Sequence, residues 1–119
     1  MSKVKIIAEA GNCHEGDLNI AIRMIKKAHQ CGADYVKFQA IRPENLLSTE
    51  VSEDRLTQLK KWELSEGDID TLLEVGSDIG CPVFFSVFDI STVHFLKSKT
   101  GIFKISSGDN QFWPLIIEA

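Results

Sequence analysis

The sequence predicts an α/β fold, about four strand-helix units forming the first half of a (β/α)8 TIM barrel. Three observations carry that expectation. Short apolar runs alternate with amphipathic helical stretches in units of about thirty residues, the pattern of parallel strands joined by right-handed crossovers. The turn after the first run, Ala10-Gly11-Asn12-Cys13-His14-Glu15-Gly16, lacks the GxGxxG spacing that an open dinucleotide-binding sheet would place there. Ionisable or polar residues also stand near the C-terminal ends of the apolar runs, where barrel enzymes place their chemistry. An eight-unit barrel takes about 250 residues, so this chain of 119 is expected to be its N-terminal half.

Val4 to Ala10 reads as the first strand, apolar nearly throughout as in parallel sheets covered on both faces. Asp17 is a candidate N-cap, and Leu18, Ala21, Ile22, Ile25 and Ala28 recur at helical spacing before Gly32 closes the helix. Tyr35 to Gln39 reads as the second strand. A long polar connection follows from Arg42 to about Trp62, with Pro43 near its start and a short helix through Leu56 and Leu59. Ser65 and Asp68 resemble a capping box, after which Ile69, Leu72, Leu73 and Ile79 mark a helix ended by Gly80. Pro82 to Val87 reads as strand three, Ser91 to about Lys99 as the next helix, Ile102 to Ser106 as strand four, and Trp113 to Ala119 as the opening of another helix.

Residues two apart on a strand share a face. Glu9 therefore goes with Ile7 and Lys5, Lys37 with Gln39 and Tyr35, and Lys104 with Ser106, all expected to point into the barrel. Ile6, Ala8, Val36, Phe38, Phe103 and Ile105 are expected to pack against the helices. A lysine or glutamate inside a strand is costly to bury without an opposite charge. Three such strands, Ile6 to Glu9, Val36 to Gln39 and Ile102 to Asp109, imply one shared polar site suited to an anionic, phosphorylated substrate.

Composition narrows the classes. A net charge of -4, with Lys and Arg paired only at Lys26-Lys27 and Lys60-Lys61, gives no basic patch for nucleic acid. No apolar run has the length of a membrane span and no start looks like a signal peptide, so a cytoplasmic protein without membrane contact is expected. Cys13, Cys31 and Cys81 form an odd set without CxxC spacing, which fits reduced thiols.

Five motifs in order, Ile7-Ala8-Glu9-Ala10-Gly11 with His14-Glu15-Gly16-Asp17-Leu18, Gly32 to Gln39, Glu63-Leu64-Ser65, Phe85 to Asp89, and Lys104 to Asp109 with Pro114-Leu115-Ile116, resemble the N-terminal barrel of the sialic acid synthase family. That family includes N-acetylneuraminate synthase and its pseudaminic, legionaminic and spore-coat relatives. The resemblance implies condensation of phosphoenolpyruvate with an N-acylated amino sugar such as N-acetylmannosamine, with release of phosphate. It further implies Lys37, Gln39, Lys104 and Ser107 as phosphoenolpyruvate ligands, and Glu9 and Asp109 as catalytic residues beside the reacting carbons or sugar hydroxyls. His14 and Ser86 are further candidates for substrate binding. A divalent metal, Mn2+ or Mg2+, is implied with ligands on later strands outside this chain, as are a C-terminal antifreeze-like domain and a homodimer at full length. The isolated chain is expected to be an inactive piece of a longer synthase.

The chain departs from the family pattern at three places, one of them Asp109, which is often Glu in relatives. Cys13 stands where Asn usually precedes the His, and Ser86-Val87-Phe88-Asp89 is one residue shorter than the usual Ser-Thr-Pro-Phe-Asp. Each candidate also has a plainer reading. Lys37 and Lys104 could form structural ion pairs with Glu9 or extend to solvent, Ser107 and Gly108 a simple turn, Asp109 a helix cap, and His14 a turn residue. Two other functions stay open: a Schiff-base aldolase using Lys37 or Lys104, and a non-catalytic phosphate-binding module.

Overall fold

The computed structural model describes residues 3–46 and 52–119. Four strands, β1 (Ile7–Gly11), β2 (Tyr35–Ala40), β3 (Val83–Val87) and β4 (Phe103–Ile105), form one parallel sheet in chain order. Helix α1 (Leu18–Gln30) joins β1 to β2. Helices α2 (Pro43–Leu46), α3 (Glu53–Trp62) and α4 (Glu66–Ile79) follow β2, and α5 (Ile90–Leu96) follows β3. A 3-10 turn at Ser107–Asp109 leads from β4 into α6 (Trp113–Glu118).

One apolar cluster fills the space between one sheet face and the helices. From the sheet come Val36, Phe38, Ala40, Val83, Phe85 and Val87, and from the helices come Ala21, Ile25, Ile69, Leu72, Val93, Leu96 and Leu115. Phe38 and Phe85 are fully buried with ring centroids 6.1 Å apart, and each contributes roughly 1.5–3 kcal/mol by leaving water. Phe84, also buried, lies on the other face, edge-on to Tyr35 at 6.1 Å. A doubly wound sheet reverses its strand order and carries helices on both faces; here neither is seen among the described residues.

The helices begin and end where their capping chemistry directs. The Asp17 carboxylate accepts from the amides of Asn19 and Ile20 to open α1. Before α4 the capping box is complete: Ser65 Oγ accepts from Asp68 N at 3.0 Å and Asp68 Oδ2 accepts from Ser65 N at 3.3 Å, a cap that stabilises a helix by about 1 kcal/mol. Gly76 lets α4 lie on β3, since a Cβ there would stand 2.7 Å from both Cys81 O and Val83 Cγ2.

Three expectations need correction. The first strand begins at Ile7 rather than Val4, and Ile6 does not pack against a helix: its backbone hydrogen-bonds Asp34 and Tyr35, but its side chain is 58% exposed at the sheet edge. The fourth strand is three residues long and half-open, because only β3 flanks it among the described strands; Lys104 is exposed. Helix α5 starts at Ile90 and stops at Leu96, with the backbone of Lys99 and Thr100 turning back to the Leu96 carbonyl. The helix expected through Leu56 and Leu59 is α3, and residues 47–51 of that connection lie outside the described residues.

Candidate active site

The face of the sheet turned away from the core cluster carries the polar residues of the strands. Register pairs Glu9 with Lys37, Gln39 with Ser86, and Ser86 with Lys104, so neighbouring strands bring these backbones within about 5 Å of one another. Parallel pairing without a register slip from β2 to β4 achieves this.

Lys37 is the centre of the group. Its side chain is only 11% exposed, and its Nζ donates to Ser86 Oγ at 2.6 Å and faces Glu9 Oε2 at 2.8 Å. An ammonium has three N–H donors, and two are engaged by these partners. The aliphatic stem lies in the sheet while the charge is met by a carboxylate, which offsets the cost of desolvation. Glu9 remains half in solvent, with 56% of its side chain exposed. A Cβ at Gly11 would stand 3.2 Å from Glu9 Oε1, so glycine there keeps room for the carboxylate.

The loop after β1 adds a residue that sequence reasoning passed over. Asn12 Nδ2 donates to Gln39 Oε1 at 2.7 Å. The available signal was a lone amide one residue beyond a strand end that already held Glu9. His14 is buried completely, with its ring centroid 5.8 Å from that of Phe38 on the helix side of the sheet, and its Nδ1 accepts from Gly16 N at 2.8 Å. Burial pulls its pKa below the ordinary value, against the opposing charge of Asp68. Gly16 has φ +84°, and a Cβ there would collide with the Lys61 carbonyl at the end of α3. The β1–α1 loop is thereby held against α3, and a cleft of about 690 Å³ between them is lined by Glu15, Arg55, Lys61 and Trp62, apart from Lys37.

The β4 end is less assembled. Lys104 Nζ donates to the Ile105 carbonyl at 2.8 Å instead of meeting Glu9 or Lys37, although its backbone stands beside Ser86. Ser107 is exposed in the 3-10 turn. Asp109 Oδ2 accepts from Ser106 Oγ at 3.1 Å and caps no helix, since α6 begins after Phe112 without a side-chain cap.

Between β2 and β3 a second polar network ties the loops together. Asp89 Oδ1 accepts from Thr92 N at 2.7 Å and from Ser91 Oγ at 2.6 Å, while Arg42 spans from Thr92 Oγ1 to Glu66 Oε1. Burial pushes the Asp89 carboxyl up, but the hydrogen bonds from Ser91 and Thr92 and the Arg42 charge together hold it below its ordinary pKa. Among the described residues no group of three His, Cys, Asp or Glu side chains could hold a metal ion.

A parallel sheet covered by helices on one face, with an ion-paired buried lysine on the other, defines an α/β protein with a polar cluster on the open face of its sheet. The chain belongs to the NeuB family, whose sequence pattern matches residues 24–119. It is 38% identical over 93% of its length to an uncharacterized protein of Methanocaldococcus jannaschii, covering 33% of that protein. It is 34% identical over 92% of its length to the N,N'-diacetyllegionaminic acid synthase of Campylobacter jejuni, covering 36% of it. The crystal structure of N-acetylneuraminic acid synthetase from Leptospira borgpetersenii superposes on 98% of the chain with a TM-score of 0.91 and 32% identity, covering 41% of that structure. The chain thus spans about a third of the length of these curated relatives.

Proposed function

We propose that these residues form the phosphoenolpyruvate half of a synthase site that condenses phosphoenolpyruvate with an N-acylated amino sugar of the N-acetylmannosamine type. The products are a nonulosonic, sialic-type acid and phosphate. The observation that carries the proposal is the buried Lys37 ammonium, held between Glu9 and Ser86 with a donor to spare, in a chain of the NeuB family. Such a preorganised cation binds a phosphate or carboxylate oxygen without reorganising the fold.

In this reading Lys37 and Gln39 take the anion from β2, and Lys104 and Ser107 close on it from β4 once Lys104 leaves the Ile105 carbonyl. Carbon C3 of phosphoenolpyruvate attacks the sugar aldehyde, water adds at C2, and phosphate leaves from the tetrahedral carbon. Glu9, half in solvent beside Lys37, manages a proton at the reacting carbons, and Asp109 orients sugar hydroxyls. Ser86 fixes the Lys37 ammonium. The divalent metal implied by the family finds no ligand set among the described residues, so no step is assigned to it in this chain.

The single-faced helix layer, the unreversed strand order and the superposition on part of a longer synthase support residues 1–119 as the first half of a TIM barrel. The remaining strands, an antifreeze-like domain and a homodimer would complete the enzyme, in the cytoplasm.

The test is phosphate release and sugar-acid formation, followed by mass, when the protein from its complete reading frame meets phosphoenolpyruvate and N-acetylmannosamine with manganese. An acid product lost on Lys37→Ala supports the reading. No phosphate release with any N-acylated amino sugar sinks it, and borohydride trapping of pyruvate on Lys37 would assign a Schiff-base aldolase instead.

A further inference from the structure

The Gln39 side chain ends in an amide with opposite chemistry at its two ends: Oε1 accepts hydrogen bonds, and Nε2 donates two. Which end faces an anion decides whether the residue attracts or repels it. In the structure the oxygen is occupied, because Asn12 Nδ2 donates to Gln39 Oε1 at 2.7 Å. The Nε2 hydrogens are thereby turned away from Asn12.

Asn12 reaches Gln39 through an irregularity in β1. Register pairs Glu9 with Lys37 and Gly11 with Phe38, so one extra residue, Ala10, is accommodated between the two rungs. In an unbroken ladder Gly11 would stand level with Gln39. The bulge moves Asn12 to that level, two rungs beyond Lys37. The amide that orients Gln39 thus comes from a loop residue whose placement depends on the strand's extra residue.

We infer that Asn12 is a positioning residue that fixes the Gln39 amide with its donor end toward the bound anion. The inference rests on the reading of Gln39 as a phosphoenolpyruvate ligand. In the observed orientation Asn12 presents its donor end, Nδ2, to Gln39 Oε1. An aspartate of the same shape can only accept when ionised, so it would draw Gln39 Nε2 to itself and turn Oε1 onto the phosphate or carboxylate.

The test is a mutant cycle in the protein from its complete reading frame, with melting temperature monitored throughout. Asn12→Asp is expected to raise KM for phosphoenolpyruvate about tenfold or more with kcat within about threefold, and Asn12→Ala, which frees rather than inverts Gln39, by a smaller factor. A merely structural role would rank them the other way, since alanine loses more contact than the isosteric acid. In a Gln39→Ala background neither substitution should raise KM further. If Gln39→Ala raises KM while both Asn12 variants match wild type, the inference is overturned and the ligand role of Gln39 stands. If the Asn12 variants raise KM equally in the Gln39→Ala background, Asn12 acts by its own charge or contact and the inference is overturned. If Gln39→Ala itself leaves KM unchanged, the ligand role and the inference fall together. Should Asn12→Asp fail to fold, Asn12→Ala alone completes the cycle with the same outcomes.

Discussion

Lys37 Nζ stands 2.8 Å from Glu9 Oε2, across the rung that pairs the two residues on β1 and β2. The partners differ in exposure, 11% against 56% of each side chain, so removing them has unequal effects. Glu9→Ala leaves a buried ammonium with Ser86 as its remaining described partner. Lys37→Met leaves a carboxylate that water can solvate. Glu9→Ala is expected to cost about 1–2 kcal/mol, solvent screening included, and Lys37→Met less; if the proposed synthase reading holds, both also abolish condensation by the protein from its complete reading frame. Urea denaturation of the two variants checks the order.

Lys104 is exposed and, among the described residues, bonded only to the neighbouring Ile105 carbonyl. Its removal should therefore leave stability within about 0.5 kcal/mol of wild type. If Lys104 closes on phosphoenolpyruvate, Lys104→Ala nonetheless raises KM by about tenfold or more, as expected for a lost charged contact. A lowered melting temperature with an unchanged KM would mark the lysine as structural.

His14 gives a pH dependence with a definite sign. Burial holds its folded pKa below the ordinary 6.5, with Asp68 opposing, so the unfolded chain binds a proton more readily than the folded one. Stability contributed by keeping the ring neutral is present above pH 6.5 and is lost as pH falls below it toward the folded pKa. Denaturation midpoints should decline between pH 7 and pH 5, and the decline should be shallower in His14→Gln.

Gly16 occupies a left-handed turn against the Lys61 carbonyl. Gly16→Ala adds backbone strain and a collision with a backbone atom, and neither a rotamer change nor a flexible side chain can relieve it. A loss of about 2 kcal/mol or more is expected. Limited proteolysis should then cut first in the β1–α1 loop or α3, and cleavage elsewhere with unchanged stability would show that the two segments are not clamped together.

Local chemistry made much of this fold readable. Asp17, Ser65 with Asp68, and Gly80 mark helix ends by hydrogen bonds and left-handed backbone that act within a few residues, and the alternation of Val36, Phe38 and Lys37 reports which face of a strand meets helices. Burial at the sheet margin was not readable. Ile6 and Ile102 are as apolar as Val83, yet they lie just before the edge strands β1 and β4, and only the order of strands decides that. The same holds for the site. That Lys37 is a buried charge followed from its apolar neighbours, but its contact with Ser86 joins residues 49 apart and depends on register. Lys104, read as equivalent to Lys37, shares its face of the sheet but is exposed, because β4 has a single described neighbour. Asn12 was hidden because a bulge leaves no compositional trace.

That bulge separates numbering from place. Before it, a residue of β1 and its partner on β2 differ by 28 in number; after it, by 27. A loop side chain meets whatever stands at its height on the neighbouring strand, so two chains that differ by one residue at Ala10 could present the same amide from different sequence columns. Homologous side chains in this loop are best matched by rung rather than by alignment column.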